Sequence, residues 1–380
     1  MKKILVISQN HTPPVYAGNQ KCIFEYCEML KGLNADVSFL YLQGHKKLAQ
    51  EEFDILHRYW GDNLHIYNRK IALEAPIRLW GKIRACFTPF NFLDEKYPFG
   101  LTSYVQELQK KHHFDIIIIN YLTLSRLFIG KLDCHKVLFA HDCFTFKNER
   151  LHTDKSFFNL KPNDEARALR RCDTVLSIQD NETTLFEYLA PDCRVKTVYS
   201  IFPTQWVKSD LPNENILFFS GDSQLNINGI KRFINHIFPL VLDKHPQARL
   251  IIAGNICNKL NDIQHSNITQ LGRIDDVKQF YSMGEIAINP IYQGTGLKIK
   301  TLEALSYGKA TVVDPHSIEG LYKATSAPTL VGHTYNEYAQ HIISLLEQPS
   351  LRNKLAQEGI AYVDEMNEYI KKQYKELIAL

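Results

Sequence analysis

The sequence predicts an α/β protein made of two parallel-sheet halves in tandem. Three observations carry that prediction. The chain is 380 residues long, and single cores stop growing near about 250–300 residues, so two domains are expected. Short, continuous apolar runs alternate with helix-period segments, as buried parallel strands alternate with crossover helices. The alternation breaks once, at 203–215, and then restarts. That stretch (PTQWVKSDLPNEN) has two prolines and no periodicity, and reads as a linker.

In the first half, Ile4–Ile7 is the first buried strand. A helix follows from about Asn19, where Cys22, Ile23, Tyr26, Cys27 and Leu30 share one face and Gly32 is the stop. Val37–Leu42, Asp115–Ile119, Lys136–Ala140 and Thr174–Ile178 are further strands, each followed by polar residues. In the second half the expected strands are Ile216–Ser220, Arg249–Ala253 with Gly254 at its end, Ile268–Leu271, Ile286–Ile291 and Ala310–Val313. Helices are expected at Ile230–Leu242, 275–283 and 298–307, and the charged stretch 351–380 is helical. The domains are therefore placed at 1–205 and 213–355.

Composition narrows the function. Hydrophobic residues make up 45% and charged residues 22%, which argues against a disordered chain. A net charge of +3 is too small to imply nucleic-acid binding. The longest apolar runs are strand-sized, so no transmembrane helix is expected. Met1-Lys2-Lys3 starts like a signal peptide, but the run Ile4–Ile7 is too short for one. The eight cysteines form no C-x-x-C pair, so reduced thiols, a cytoplasmic setting and no metal site are the expectation.

One region departs from the alternation. Residues 57–100 place Arg58, Arg69, Lys70, Arg78, Lys82 and Arg84 among Trp60, Tyr67, Trp80, Phe87, Phe90 and Phe92. Two readings stand: a solvated loop-and-helix excursion, or a surface for an anionic membrane or a lipid-linked substrate. Nucleic acid is set aside because the rest of the chain is not basic.

Residues 286–321 carry the most chemistry. A buried strand ends at Pro290, the tight loop Gly294-Thr295-Gly296 follows, and then a helix begins. Glycines before a helix N-terminus let backbone N–H groups approach a ligand, and the positive end of the helix favours phosphate. Lys298 and Lys300 sit in the first turn, where a cation disfavours the helix and an anionic ligand would offset that. Glu303 lies three residues after Lys300, on a shared face, where a carboxylate can accept from sugar or ribose hydroxyls. The plain alternative is a tight turn with a surface Lys–Glu pair. Ligands of open α/β sheets bind beyond the carboxyl ends of the strands. In the first half those places are loop 8–18, with Gly18 opening the helix and Asn19 as its N-cap, the turn after Ile119, and His141-Asp142. A backbone-bonded histidine and a helix-capping aspartate are the alternatives for the last pair.

The string NPIYQGTGLKIKTLEALSYGKATVV, followed by Ile318-Glu319-Gly320-Leu321, resembles the nucleotide-sugar-binding segment of family 4 glycosyltransferases of bacterial glycan or cell-envelope polysaccharide synthesis. The resemblance extends to Phe218–Gly221, Leu250–Gly254 with Gly272, His141-Asp142 and the Gly18 loop. It implies the GT-B fold, two Rossmann-like parallel-sheet domains facing a cleft, with the last helix, about 356–380, returning to the first domain. Thr295 stands where many members have a first glutamate. The stretch Gly221–Gly229 carries no cation where many members have an Arg and a Lys, and Ala17-Gly18 stands for two glycines.

The activity implied is transfer of a sugar, with retention, from a nucleotide-diphosphate sugar (UDP- or GDP-linked) to a hydroxyl of a glycan or lipid-linked acceptor. No metal or other cofactor is implied. Lys298, Lys300 and the 294–296 backbone would hold the diphosphate, and Glu303 the ribose. Glu319 and Gly320, at the start of the next helix, would line the donor pocket. His141 would touch the transferred sugar, with Asp142 orienting it or the acceptor. A catalytically silent sugar-nucleotide-binding subunit and a sugar-nucleotide epimerase remain as alternatives. A nicotinamide enzyme is disfavoured, since no G-x-G-x-x-G follows the first strand.

Overall fold

The apolar runs form two all-parallel sheets in the computed structural model, which describes residues 1–15, 18–44, 47–153, 157–209 and 213–380. The chain divides into two compact units, Met1–Ile201 with Ile370–Leu380, and Phe202–Tyr369.

In the first unit the elements run β1 (Lys3–Ser8), α1 (Gly18–Gly32), β2 (Asp36–Gln43), α2 (Gln50–Trp60), β3 (Leu64–Asn68), α3 (Ile71–Ala85), α4 (Leu101–His112), β4 (Ile116–Asn120), β5 (His135–Phe139), α5 (Lys147–Arg150), α6 (Pro162–Leu169), β6 (Thr174–Ser177), α7 (Asp180–Leu189) and β7 (Arg194–Thr197). The sheet order is β3-β2-β1-β4-β5-β6-β7. The four-isoleucine run of β4 is buried throughout because the strand is central and covered on both faces. Leu5, Ile7, Leu40, Ile117, Ile119 and Leu138 pack with Val105, Phe128, Leu169 and Phe186. On α1, Ile23, Tyr26, Cys27 and Leu30 are buried, and Tyr26 stacks on Phe139 at 4.9 Å. The edge strands β3 and β7 were not expected. Both are short and half-exposed, so neither has a continuous apolar run to announce it. Basic-aromatic residues 57–100 therefore hold a strand and a helix.

The second unit contains β8 (Asn215–Phe219), α8 (Gln224–Arg232), α9 (Phe238–Leu242), β9 (Arg249–Ala253), β10 (Ile268–Gln270), α10 (Val277–Tyr281), β11 (Ile286–Asn289), α11 (Ile299–Ser306), β12 (Ala310–Val313), β13 (Thr329–Val331), α12 (Tyr335–Glu347) and most of α13 (Pro349–Ile378). Its sheet order is β10-β9-β8-β11-β12-β13. Ile216, Phe218, Leu250, Ile252, Ile286, Ile288 and Val312 face Ile230, Phe233, Val241 and Ile342. Leu217, Ile251, Ala253 and Ala287 face Phe280, Tyr281 and Ala304 on the other side.

The helix expected at 230–242 starts earlier, at Gln224, where the Ser223 hydroxyl caps the N–H of Asn226 at 3.4 Å. It passes through a π-helical turn, Phe233–Ile237, into α9. Pro239 has no N–H to continue the ladder, which favours such a local irregularity. Short β13 and the following α12 were not expected.

The 203–215 stretch is not a free linker. Gln205 N–H donates to Ser306 O at 2.8 Å and Val207 N–H to Tyr307 O at 3.2 Å, so it lies along the second unit. Residues 210–212 of that stretch lie outside the described residues.

Candidate functional site

In the second unit the carboxyl ends of β11 and β12 meet the start of α11. Asn289, closing β11, donates through Nδ2 to the Thr301 hydroxyl at 2.9 Å, and that hydroxyl donates to Ser317 O at 2.9 Å. These buried bonds fix the first turn of α11 against the sheet. The preceding loop uses Gly294 at φ +148° and Gly296 at φ +86°, a conformation that side chains resist. Thr295 lies between them, half-exposed.

Lys298 sits just before the helix, as its N-cap, rather than within the first turn. Its Nζ lies 3.3 Å from Gly296 O and 3.2 Å from His316 Nε2. The ammonium has only protons to give, so His316 Nε2 accepts. The proton is then on Nδ1, which lies 2.9 Å from Glu319 Oε2. Burial first, and then the Lys298 charge, lower the His316 pKa, in keeping with a neutral ring. Lys300 Nζ donates to Asn226 Oδ1 at 3.0 Å. Asn226 is itself tied to Gly221 O at 3.0 Å. The cation-free stretch 221–229 is thus met by a lysine from α11. Burial lowers the Lys300 pKa to about 8, against the pull of Glu303. Glu303 Oε2 accepts from Tyr281 OH at 3.4 Å.

Glu319 and Gly320 do not open the next helix. They follow a 3-10 turn, Pro315–Ile318, and α12 begins only at Tyr335. Asp314 caps that turn at the N–H of His316 and also binds Arg232 Nη2 at 2.6 Å. Arg232, near the end of α8, stacks 4.2 Å from the Tyr292 ring and donates to Pro290 O. Arg232, His316 and Asn226 were not singled out in the sequence, although His316 lies within 286–321 and Asn226 within 221–229, because no local pattern marks them. Their recruitment depends on how separate elements pack.

In the first unit, His141 and Asp142 follow β5. His141 adopts φ +62° and its ring lies between Phe139, at 4.3 Å, and Tyr121, at 4.5 Å. Its Nε2 is 2.6 Å from Asn120 Oδ1. Asn120 Nδ2 donates to Ile7 O at 3.0 Å, which fixes the amide so that Oδ1 faces the histidine. His141 Nε2 is therefore the donor, and burial brings its pKa down to about 3. The ring is neutral, with Nδ1 left as an acceptor.

Asp142 does not orient His141. Its Oδ2 pairs with Lys147, and its buried Oδ1 finds no hydrogen-bond partner among the described residues. Nor does it cap a helix, since α5 starts at Lys147. The signal for Asn120 was present, as the one polar residue closing IIIIN. Glu165 pins the following loop by accepting from Phe144 N at 2.9 Å and Thr145 N at 2.6 Å. Glu182 is pushed up to about 7 by burial and then by the charge of Asp142. Gly18 opens α1, and Asn19 lies inside the first turn, its side chain accepting from Gln20 N at 2.9 Å. Ala17 and part of loop 8–18 lie outside the described residues.

Among the described residues, no group of three or more His, Cys, Asp or Glu side chains is placed to hold a metal ion. No helix among them is long and apolar enough to cross a membrane. A cavity of about 790 Å³ is lined by Gln109, His113, Asp115 and Cys134. It lies at the amino ends of β4 and β5, opposite the end where sheets of this kind bind ligands, so its size does not make it the site.

Residues 214–348 match the protein family described as Glycosyl transferases group 1. This segment holds the whole second-unit site, from Asn226 to Gly320. The chain is also 25% identical over 174 residues to an uncharacterized 44.6 kDa protein in the cps region of Klebsiella pneumoniae. That match covers 43% of this chain and only 45% of the relative. Among solved structures, Anabaena Alr3699/HepE in complex with UDP and glucose has a TM-score of 0.65 at 14% identity, with 100% of both chains covered. WaaG, a glycosyltransferase involved in lipopolysaccharide biosynthesis, has a TM-score of 0.59 at 15% identity, with 99% of both covered. The fold is GT-B, with two parallel-sheet α/β domains.

Proposed function

We propose that the protein is a glycosyltransferase that moves a sugar from a nucleotide-diphosphate sugar to an acceptor hydroxyl. The observation that carries this reading is the Gly294–Gly296 loop at the carboxyl end of β11, with Lys298 and Lys300 drawn together at the start of α11. The match of 214–348 to group 1 glycosyl transferases supports it, as does the likeness of fold to a protein solved with UDP and glucose.

Lys298, Lys300 and the loop N–H groups hold the diphosphate and stabilise the charge that develops on it as the glycosidic bond breaks. Losing one such preorganised donor typically costs about 10²–10³ in rate. Glu303 binds the ribose hydroxyls, while Glu319, Gly320 and Thr295 line the donor pocket. His141 contacts the transferred sugar through neutral Nδ1 as an acceptor, and Gly18 takes part through its backbone. Asp142, paired with Lys147, acts on the acceptor side. Transfer proceeds with retention, the leaving diphosphate taking the acceptor's proton on the same face, so no protein nucleophile is required. Neither a metal nor another cofactor enters this scheme.

The acceptor is a glycan or lipid-linked glycan of a surface polysaccharide, a reading supported by the relative in a cps region. On α3 and just beyond it, Leu73, Trp80, Ile83 and Phe87 are exposed beside Lys82 and Arg84, which suits peripheral contact with an anionic membrane from the cytoplasmic side. Flotation with anionic liposomes should retain the protein at low salt and release it at high salt.

The test of the activity is a screen of UDP-, GDP-, ADP- and CMP-sugars for thermal stabilisation and slow donor hydrolysis. One nucleotide class should stabilise the protein and be hydrolysed, and Lys298→Ala and Glu303→Ala should each abolish hydrolysis. Binding without turnover, once acceptors have been supplied, would favour a silent sugar-nucleotide-binding subunit. No binding of any nucleotide sugar at millimolar concentration would contradict the proposal.

A further inference from the structure

A second cavity, of about 400 Å³, lies wholly within the first unit. Gln9, just after β1, and Arg69, just after β3, form its floor, so it opens at the carboxyl end of the sheet. One wall is α3, through Arg78, Gly81 and Lys82. The other is the segment bearing Asn91, Glu95 and Lys96.

The charges here are built in. Glu74 is 2% exposed. It is gripped by Arg69 and Arg78, each with Nη2 at 2.7 Å from Oε2. Arg69 also donates to Lys96 O at 3.2 Å, which ties the two walls together. One buried carboxylate thus orients two guanidinium groups. Lys96 adds an ammonium 4.6 Å from the Phe158 ring. Lys82 adds another, and among the described residues no carboxylate pairs with either lysine. Among the described residues, the carboxylates beside these cations are Glu74 and Glu95. Gly81 makes room for the latter, since a Cβ there would meet Glu95 Oε2 at 2.8 Å. Lys82 and Lys96 thus place two cations at the sheet end where ligands bind. Planar guanidinium groups held by a shared carboxylate are suited to phosphate oxygens.

We infer that this cavity binds a phosphate or diphosphate group borne by the acceptor, making the acceptor a phosphorylated or diphosphate-linked sugar. The assignment of that group to an acceptor rests on the transferase reading above. The cavity itself does not depend on the second unit.

The experiment uses the full-length chain carrying Lys300→Ala, so that diphosphate binding in the second unit is weakened. Inorganic diphosphate is titrated calorimetrically into this protein and into the same protein with Lys82→Ala and Lys96→Ala added. Both added positions are exposed lysines, so the fold should survive. The added substitutions should weaken binding about tenfold or more, the scale of losing charged hydrogen bonds. Arg78→Gln is a second variant with the same expectation.

Two further probes separate the sources of the phosphate. These are glucose 1-phosphate in solution, and phosphatidylcholine vesicles carrying a polyprenyl diphosphate. Capture by the vesicles that is lost with Lys82→Ala and Lys96→Ala supports a lipid-borne group, and binding of glucose 1-phosphate alone supports a soluble one. The inference is overturned if no probe binds, or if binding is unchanged by the lysine substitutions. UDP titration of the wild type is run in parallel. Its failure alone would remove the transferase reading while leaving the anion cavity standing.

Discussion

Lys300 carries the proposed chemistry at the residue scale, and its environment makes the claim testable by pH. Burial lowers its pKa from 10.5 to about 8. Donor affinity should therefore fall as pH rises through about 8, where the ammonium loses its proton, and Lys300→Gln should flatten that alkaline limb. Stability should move the other way. Lys300 and buried Lys309 are both lowered from 10.5 to about 8, so between those values the unfolded chain binds more protons. The folded state then gains stability as pH rises through that window. Thermal melts and donor titrations over the same pH series check both signs together.

His141 gives the opposite expectation. Held near 3 and donating to Asn120, it stays neutral across the working range. His141→Ala should lower turnover by about 10²-fold, the scale of a lost transition-state contact. It should remove no pH limb between 5 and 8, and a limb lost with this variant would refute the neutral-acceptor role. His141 and Lys300 were picked out in the sequence by their places after strands and loops. Their partners were not, because Asn120 and Asn226 come from elsewhere in the sequence and are joined to them only by folding.

At the scale of elements, the central strands were legible, but of the four edge strands only β10 was. β4, β9 and β12 are continuous apolar runs because both faces are covered. β3, β7 and β13 are short and half-exposed, which leaves no such run. Helix starts followed local capping: Ser223 begins α8 six residues before its apolar stripe would suggest. The 202–209 strap is held by a residue that sequence reading passed over. Lys309, fully buried, donates to Val207 O at 2.5 Å and Gly284 O at 2.8 Å, with Glu285 at 3.9 Å. Lys309→Ala should cost about 2 kcal/mol, because Val207 O and Gly284 O lose their buried donor. Denaturant unfolding measures this, and a loss below about 1 kcal/mol would show the strap to be held by other contacts.

For the whole molecule, the two-unit organisation followed from chain length and from the restart of the strand–helix alternation. The return of the C-terminal helix rested on family resemblance, since a charged helix carries no address of its own. Only Ile370–Leu380 group with the first unit, a shorter stretch than the expected 356–380, and there Tyr374 is 1% exposed and stacks 6.4 Å from Tyr26. Tyr374→Ala should destabilise the protein by about 3 kcal/mol, as large buried aromatics do on truncation. A change within about 0.5 kcal/mol would place that helix end outside the core. The sequence also singled out the 294–296 loop, through its glycines and the lysines that follow. It marked Arg69, Arg78 and Lys82 as part of a basic stretch, but not that they line one cavity with Gln9, Asn91 and Lys96, which folding alone brings together.

If the start of α11 holds the diphosphate of a sugar donor, Lys300 contributes to donor affinity. Calorimetric titration of UDP-glucose, and of GDP-mannose if that fails, into wild type and Lys300→Ala tests it most directly. Wild type should bind saturably, and the variant more weakly by about tenfold or more, with unchanged circular dichroism. Equal affinity in both proteins, or no binding to either, would contradict it.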